Sequence, residues 1–114
     1  MKVSEIESLG TFTCLQGEYE DAEIQAGYTS DLLSDVMGNA AEGSVLITIQ
    51  AHKNTVAVSS LAGVVAIIIC NNRPAADDMI EAARSEGIAI FQTSGNQFDT
   101  SALIAQHLGG CPAR

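Results

Sequence analysis

Three short, mostly apolar runs constrain the fold of this chain more than any other feature. They are SVLITI (44–49), VVAIIIC (64–70) and IAIFQ (88–92). A strand with one wet face alternates apolar and polar residues, whereas a parallel strand covered on both faces reads as a nearly continuous apolar run. The three runs therefore predict buried parallel strands, and VVAIIIC, the strongest of them, predicts the centre of the sheet.

Segments with helical signals follow each of these strands. Residues 54–63 predict a helix of small side chains, although their valines leave a strand open as the alternative. Residues 73–87 and 99–110 predict two further helices, each ended by a glycine. Alternating strands and helices indicate parallel strands joined by right-handed crossovers. We expect an α/β fold, with a mostly parallel sheet of about five strands and helices on both faces in a single domain.

The first forty residues carry weaker signals. Residues 11–16 and 22–26 predict strands, the second of them at an edge, and residues 27–43 predict a helix that ends at Gly43. No linker interrupts the chain before its last residues. We expect one domain over residues 1–110 and a flexible tail over residues 111–114.

Composition excludes several classes of function. The chain has 114 residues, five Lys and Arg against fourteen Asp and Glu, and a net charge of −9. Nucleic acids and anionic membranes attract basic proteins, so we expect neither as a partner. No apolar run reaches the length of a membrane span, and no leader-like run opens the chain, which predicts a cytoplasmic protein. Cys14, Cys70 and Cys111 are widely spaced, so we expect no disulfide framework, no metal and no cofactor.

Polar residues follow the three predicted parallel strands. Ligands of open α/β sheets bind beyond the carboxyl ends of the strands, where helix N-termini also point. Two of the five basic residues, Lys53 and Arg73, fall in this region. An acidic chain that places two cations at one edge predicts a pocket for an anion. The predicted ligand-binding residues are Gln50, His52, Lys53, Asn54, Asn72, Arg73, Thr93 and Ser94.

Simpler interpretations of the same residues stay open. Asn54 is a good helix N-cap whatever else it does, and Lys53 and Arg73 are also typical of ordinary surface charges. Asp31 and Asp35 stand four residues apart in the predicted helix, a spacing that suits a cation, but one carboxylate pair is more typical of a solvated face.

No catalytic motif is present. The chain lacks G-x-x-x-x-G-K-[ST], G-x-G-x-x-G, G-x-S-x-G and H-E-x-x-H. Cys70 ends a buried strand and is interpreted as a small core residue. We therefore expect no catalytic residues and no enzymatic activity.

The run AGYTSDLLSDVMGNAAEGSVLITIQAHKNTVAVSSLAGVVAIIICNNRPAADDMIEAARSEGIAIFQTS (26–94) resembles the DRTGG domain. It is also similar to the N-terminal domain of HPr kinase/phosphorylase. AHKNT (51–55) occupies the place of the charged half of the family motif, and Asn71-Asn72 that of a glycine pair. These departures indicate a divergent, stand-alone member. The resemblance implies a small α/β module, regulatory or ligand-binding rather than catalytic, of a kind that accompanies CBS pairs and phosphotransacetylase.

Two hypotheses follow. The first is a homodimeric regulatory or sensor module that binds a small anionic ligand, such as an adenine nucleotide or another phosphate, at the carboxyl edge of the sheet. The second is a protein-interaction or accessory subunit of a redox complex without a small-molecule site. The second rests on the acidic surface and on the lack of companion domains, and the resemblance implies stand-alone relatives encoded near iron-only hydrogenase subunits.

Overall fold

The computed structural model describes residues 1–109 and has a five-stranded sheet at its centre. The strands are β1 (Phe12–Gln16), β2 (Ala26–Thr29), β3 (Ser44–Thr48), β4 (Ala66–Ile69) and β5 (Ala89–Thr93). Their order across the sheet is β1-β5-β4-β3-β2. Strands β2 to β5 are parallel to one another, and β1 pairs antiparallel with β5. The predicted parallel strands and the central place of β4 are confirmed.

One 3-10 helix and four α-helices complete the described part of the chain. The 3-10 helix is Val3–Leu9, and the α-helices are α1 (Leu33–Asn39), α2 (Lys53–Ala62), α3 (Asp77–Glu86) and α4 (Gln97–His107). The segment for which a strand was the alternative is therefore helical. The predicted tail at 111–114, which includes Cys111, lies outside the described residues.

Successive residues of the central strands enter two different cores. Leu46, Ile67 and Ile90 point to the face covered by α1, α2 and α3, where they meet Val36 and Met79. Because neighbouring strand residues point to opposite faces, the intervening residues fill the other core. This is why the strands read as continuous apolar runs rather than alternating ones.

The second core lies under the 3-10 helix and α4. Ile6 of the 3-10 helix and Ile104 of α4 pack with Ile47, Ile68 and Phe91 of the sheet, all at most 2% exposed. The predicted fold class, an α/β domain with a mostly parallel sheet and helices on both faces, is confirmed.

The prediction for residues 22–43 is wrong in part. Glu23 forms only an isolated bridge to Lys2, and the strand at this edge of the sheet is β2, which overlaps the predicted helix from Gly27 to Thr29. Helix α1 begins at Leu33 and ends before Ala40. Strand β2 is four residues long and is held by its pairing with β3, a tertiary contact that the local apolar pattern does not carry.

The predicted capping role of Asn54 is also wrong. Helix α2 begins at Lys53, its N-cap is His52, and no side chain caps it. The first turn is fastened instead by Thr55, whose hydroxyl donates to the Gln50 carbonyl at 2.9 Å. Asn54 is thus the second residue of the helix, with an exposed side chain.

The topology gathers four loops at one end of the sheet. Each α-helix directly follows a parallel strand, so all four helices begin where strands β2 to β5 end. We call this end the carboxyl edge, and it comprises residues 30–32, 49–52, 70–76 and 94–96. The predicted site residues lie on it or in the turns beside it.

Candidate functional site

The loops that follow β4 and β5 are bonded to each other. Asn71 and Asn72 both have left-handed backbone angles, with φ of 58° and 53°. This conformation turns their N–H groups towards the neighbouring loop. Asn71 donates to the Gly95 carbonyl at 2.9 Å, and Asn72 donates to the Thr93 carbonyl at 2.8 Å. Asparagine tolerates the left-handed region better than most residues, which explains the pair at this turn.

Arg73 leaves this turn with its side chain exposed, and its carbonyl accepts a hydrogen bond from Gln92 Nε2 at 2.8 Å. Thr93 is 2% exposed, and its hydroxyl lies 3.3 Å from the Thr11 hydroxyl and accepts from Gly95 N–H. Ser94 is exposed. In this conformation Thr93 therefore shapes the loop, while Arg73 and Ser94 present their side chains to solvent.

Lys53 and Asn54 border a groove between α2 and α3. The groove has a volume of about 550 Å³ and a largely aliphatic floor that includes Val56 and Ala82. Its other walls carry carboxylates, at Asp77, Asp78, Glu81 and Glu86. Lys53 is thus the cationic end of a groove that is otherwise acidic.

Neither cation of the predicted site has an ion-pair partner among the described residues. Within residues 1–109, Lys53 and Arg73 form no ion pair, whereas Arg84 bonds both Glu18 and Glu81. Since the chain carries far more acids than bases, two exposed and unpaired cations at one edge are notable.

Gln50 and His52 have different environments. Gln50 is half-buried, and its Nε2 donates to the Asp31 carbonyl at 2.9 Å. Its own carbonyl accepts from Thr55, so Gln50 connects the loop after β2 with the first turn of α2. His52 is exposed.

The sequence interpretation places Asp31 in a helix and misses its role in joining the loops. Its Oδ1 accepts three hydrogen bonds, from Thr48 Oγ1 at 2.9 Å, from Ile49 N–H at 2.9 Å and from Gln97 Nε2 at 3.0 Å. The donors come from β3, from the loop after it and from α4. One carboxylate oxygen therefore ties together three segments of the carboxyl edge. A polar residue just after a strand was the available signal, but the strand itself was predicted as helix.

The predicted pairing of Asp31 with Asp35 on one helical face is wrong. Asp31 lies before α1, and Asp35, within α1, bonds the Tyr28 hydroxyl and Asn39 Nδ2 instead. The hydroxyls of Ser30 and Tyr28 lower the pKa of Asp35. No cluster of three or more His, Cys, Asp or Glu side chains suited to a metal occurs within residues 1–109.

The two cysteines in the described part of the chain lie in environments that disfavour the thiolate. Cys70 is fully buried at the end of β4, and burial raises the pKa of its thiol. Cys14 is half-buried on β1, and its pKa is raised by burial and then by the charge of Glu7. Neither matches the electropositive setting of a nucleophilic thiolate, and the interpretation of Cys70 as a core residue is confirmed.

A second cavity, of about 350 Å³, lies between β2 and α4, away from the predicted residues. Its walls are mainly aliphatic, with a polar contact between the Thr29 and Ser101 hydroxyls at 2.6 Å.

No helix in residues 1–109 combines the length and the apolar character that a membrane crossing requires.

Comparison with known proteins gives a likeness in fold. No protein-family model and no curated protein sequence matches the chain. Among solved structures, the chain is similar to the regulatory region of Clostridium perfringens pyrophosphatase, which comprises CBS and DRTGG domains and was solved with its activator, diadenosine tetraphosphate. The TM-score is 0.70 at 15% sequence identity. The match covers 91% of this chain and 46% of that one, so the chain spans about half of that region.

This likeness supports a DRTGG-related fold for the chain. The eight predicted ligand-binding residues stay a prediction. The structure brings Asn72, Arg73, Thr93 and Ser94 into one bonded pair of loops. The others, at 50 and 52–54, form a second group around the first turn of α2.

Proposed function

We propose that this chain is a non-catalytic regulatory module that binds a small anionic ligand, such as an adenine nucleotide, at the carboxyl edge. The observation that carries the proposal is the pair of exposed cations, Lys53 and Arg73, which have no ion-pair partner among the described residues. The similar pyrophosphatase region is regulatory and was solved with a nucleotide activator, which supports the choice of ligand class.

Helix α2 offers the best position for the phosphate. The N-terminus of a helix carries partial positive charge and N–H groups without helical partners, and both favour an anion. The first turn of α2 contains no acidic residue, whereas the first turn of α3 contains Asp77 and Asp78. Lys53 at the start of α2 adds a full charge where a cation is otherwise unfavourable. An anion there relieves that unfavourable charge.

Arg73 complements this position from the loop after β4. Its guanidinium offers a planar fork of donors that suits phosphate oxygens. The side chains proposed to surround the ligand are Gln50, His52, Lys53, Asn54, Asn72, Arg73 and Ser94, with Thr93 holding the loop that presents Ser94.

Titration calorimetry and thermal shift with AMP, ADP, ATP and inorganic phosphate test the proposal. We expect saturable binding of at least one nucleotide and a rise in melting temperature, because a ligand that binds only the folded state stabilises it. Lys53→Ala and Arg73→Ala should each weaken binding roughly tenfold, the scale of one lost charge-assisted hydrogen bond.

Lys2→Ala is the matched control, because it removes one exposed positive charge from the N-terminal segment rather than from the carboxyl edge. It should leave binding within about twofold of the unmodified protein, as expected for a screened surface charge. Absence of binding by all four compounds, or equal losses in Lys2→Ala and the two edge variants, would refute the proposal.

A second candidate function is a protein-interaction or accessory subunit of a redox complex. Within residues 1–109, four large apolar side chains are exposed, among them Leu61 at 77% and Phe98 at 81%, and such residues are common contact points for a partner. Co-purification from the native cytoplasm separates the candidates. A stoichiometric redox enzyme bound to the chain favours the second, and a homodimer that retains nucleotide favours the first.

A further inference from the structure

The carboxylate of Asp31 uses only one of its two oxygens within the described chain. Oδ1 accepts all three hydrogen bonds, from Thr48, Ile49 and Gln97. Oδ2 has no hydrogen-bond partner among residues 1–109. A carboxylate has about four lone-pair sites, so the second oxygen keeps full capacity to accept. The three bonds at Oδ1 fix the plane of the group, and therefore the direction in which Oδ2 accepts.

The backbone of Asp31 is connected to the start of α2. Gln50 donates from its side chain to the Asp31 carbonyl and accepts from Thr55 through its own carbonyl, both at 2.9 Å. Thr55 belongs to the first turn of α2. A single residue thus bridges Asp31 and the helix end at which the phosphate is proposed to bind. The two positions are held together by the same hydrogen-bond network.

The charges of the carboxyl edge do not suit a simple anion. Lys53 and Arg73 attract phosphate, but Asp31 brings a negative charge to the same edge, and Asp77 opens the next helix. A ligand that presents hydroxyl donors beside its phosphate matches both signs of charge, because a carboxylate oxygen accepts hydroxyl hydrogen bonds well. A ribose phosphate has this combination, and an acidic group that accepts from a ribose hydroxyl is a recurrent solution in nucleotide sites.

We infer that Asp31 is a specificity-determining residue of the proposed site, and that its Oδ2 accepts a hydrogen bond from a ribose hydroxyl of a bound nucleotide. This inference rests on the proposed function and adds the requirement for a sugar hydroxyl. The chain then distinguishes ribonucleotides from deoxynucleotides and from phosphate alone.

The first test compares ligands on the unmodified protein. Calorimetry with AMP, 2′-deoxy-AMP, 3′-deoxy-AMP and inorganic phosphate should show at least one deoxy compound bound roughly tenfold more weakly than AMP, since a hydrogen bond to a charged acceptor is lost. Equal affinity for AMP and both deoxy compounds overturns the inference while leaving the proposed function intact. Absence of binding by AMP, by both deoxy compounds and by phosphate overturns the inference, and the proposed function falls with it when ADP and ATP also fail to bind.

The second test changes Asp31 without removing its three internal bonds. In Asp31→Asn the amide oxygen still accepts from the three donors, and an NH2 group replaces Oδ2, so an acceptor becomes a donor. AMP should then bind roughly tenfold more weakly, and the preference over the deoxy compound should disappear. Binding of phosphate should not weaken. Asp35→Asn, which removes a carboxylate from α1, is the matched control and should preserve the preference.

Equal weakening of AMP and the deoxy compound by Asp31→Asn, with the preference kept, overturns the inference and shows that Asp31 only braces the loops. Loss of the preference in Asp35→Asn as well overturns it too, because the effect is then one of general charge. The comparison of ligands on the unmodified protein does not depend on how well either variant folds.

Discussion

The glycines that end α2 and α3 allow two costs of an alanine substitution to be separated. One is the steric cost of the added methyl group, and the other is the cost of a left-handed backbone conformation. Gly63 ends α2 with φ of 79°, and Gly87 ends α3 with φ of 67°. In both, the N–H of the next residue, Val64 or Ile88, bonds back to a carbonyl in the last turn and its side chain is buried. The two turns differ in what surrounds the glycine. A Cβ at Gly87 would have no atom within 4 Å, whereas a Cβ at Gly63 would lie 2.7 Å from Glu42 Cγ and 3.2 Å from Glu42 Cα.

The expected losses follow from these contacts. Placing alanine in the left-handed region costs about 1–2 kcal/mol, and part of this is offset because alanine lowers the entropy of the unfolded chain. Gly87→Ala should therefore reduce the free energy of unfolding by about 1 kcal/mol. Gly63→Ala meets the same cost and must also displace the backbone of Glu42, and crowding of this kind adds about 1–3 kcal/mol. Its total should be about 2–4 kcal/mol.

Urea unfolding followed by far-ultraviolet circular dichroism measures both losses, provided that the slope of free energy against urea is the same in each variant. Glu42→Ala combined with Gly63→Ala is an informative control: it removes the flexible Cγ contact but leaves the backbone contact. We expect only partial recovery. A Gly63→Ala variant no less stable than Gly87→Ala would refute the reasoning, since the backbone cost alone would then account for both.

Three further predictions follow. Phe91→Ala should lower the free energy of unfolding in urea by about 3–5 kcal/mol because the ring is fully buried. Phe98 is 81% exposed, so Phe98→Ala should change the free energy of unfolding by less than about 0.5 kcal/mol. Similar losses in the two variants would contradict the assigned cores. Iodoacetamide followed by peptide mass spectrometry should label Cys14 before Cys70, because Cys70 is fully buried; the reverse order would be inconsistent with the structure. The pKa of Asp35 is lowered in the folded state, so its contribution to stability is present above the unfolded pKa and is lost as the pH falls through the folded pKa. Asp35→Asn should therefore flatten the dependence of melting temperature on pH between about 5 and 2. An unchanged slope in this variant would argue against the stabilising role of the Asp35 carboxylate.

The sequence predicts the fold best where local pattern and tertiary environment agree. Strands β3, β4 and β5 are covered on both faces, so most of their residues are apolar and the sequence alone predicts their burial. Strand β2 has the composition Ala-Gly-Tyr-Thr and alternating exposure, and it exists because β3 offers a free edge. Because β3 lies some way along the chain, the local sequence does not show this pairing. The apolar residues just after β2 have a helical pattern, and the predicted helix was therefore begun too early, within β2.

The same reasoning explains what the sequence reveals of the candidate site. The polar residues after buried strands could be placed at one edge because topology alone puts them there. The role of Asp31 could not be predicted, since its donors, Thr48, Ile49 and Gln97, come from three distant parts of the chain. Nor does spacing show that Thr93 turns inward while Ser94 remains exposed.

The position of β1 has a consequence for how the protein is made. Phe12 pairs with Thr93, and within residues 1–109 the sheet gives β1 no neighbour other than β5. During synthesis β1 is made well before β5 and stays unpaired until β5 has been synthesised. Contacts between such distant segments form slowly because a long loop must close first. Until β1 pairs with it, the newly made β5 carries an open edge, and we expect this late, unpaired intermediate to be the species that a chaperone recognises or that aggregates.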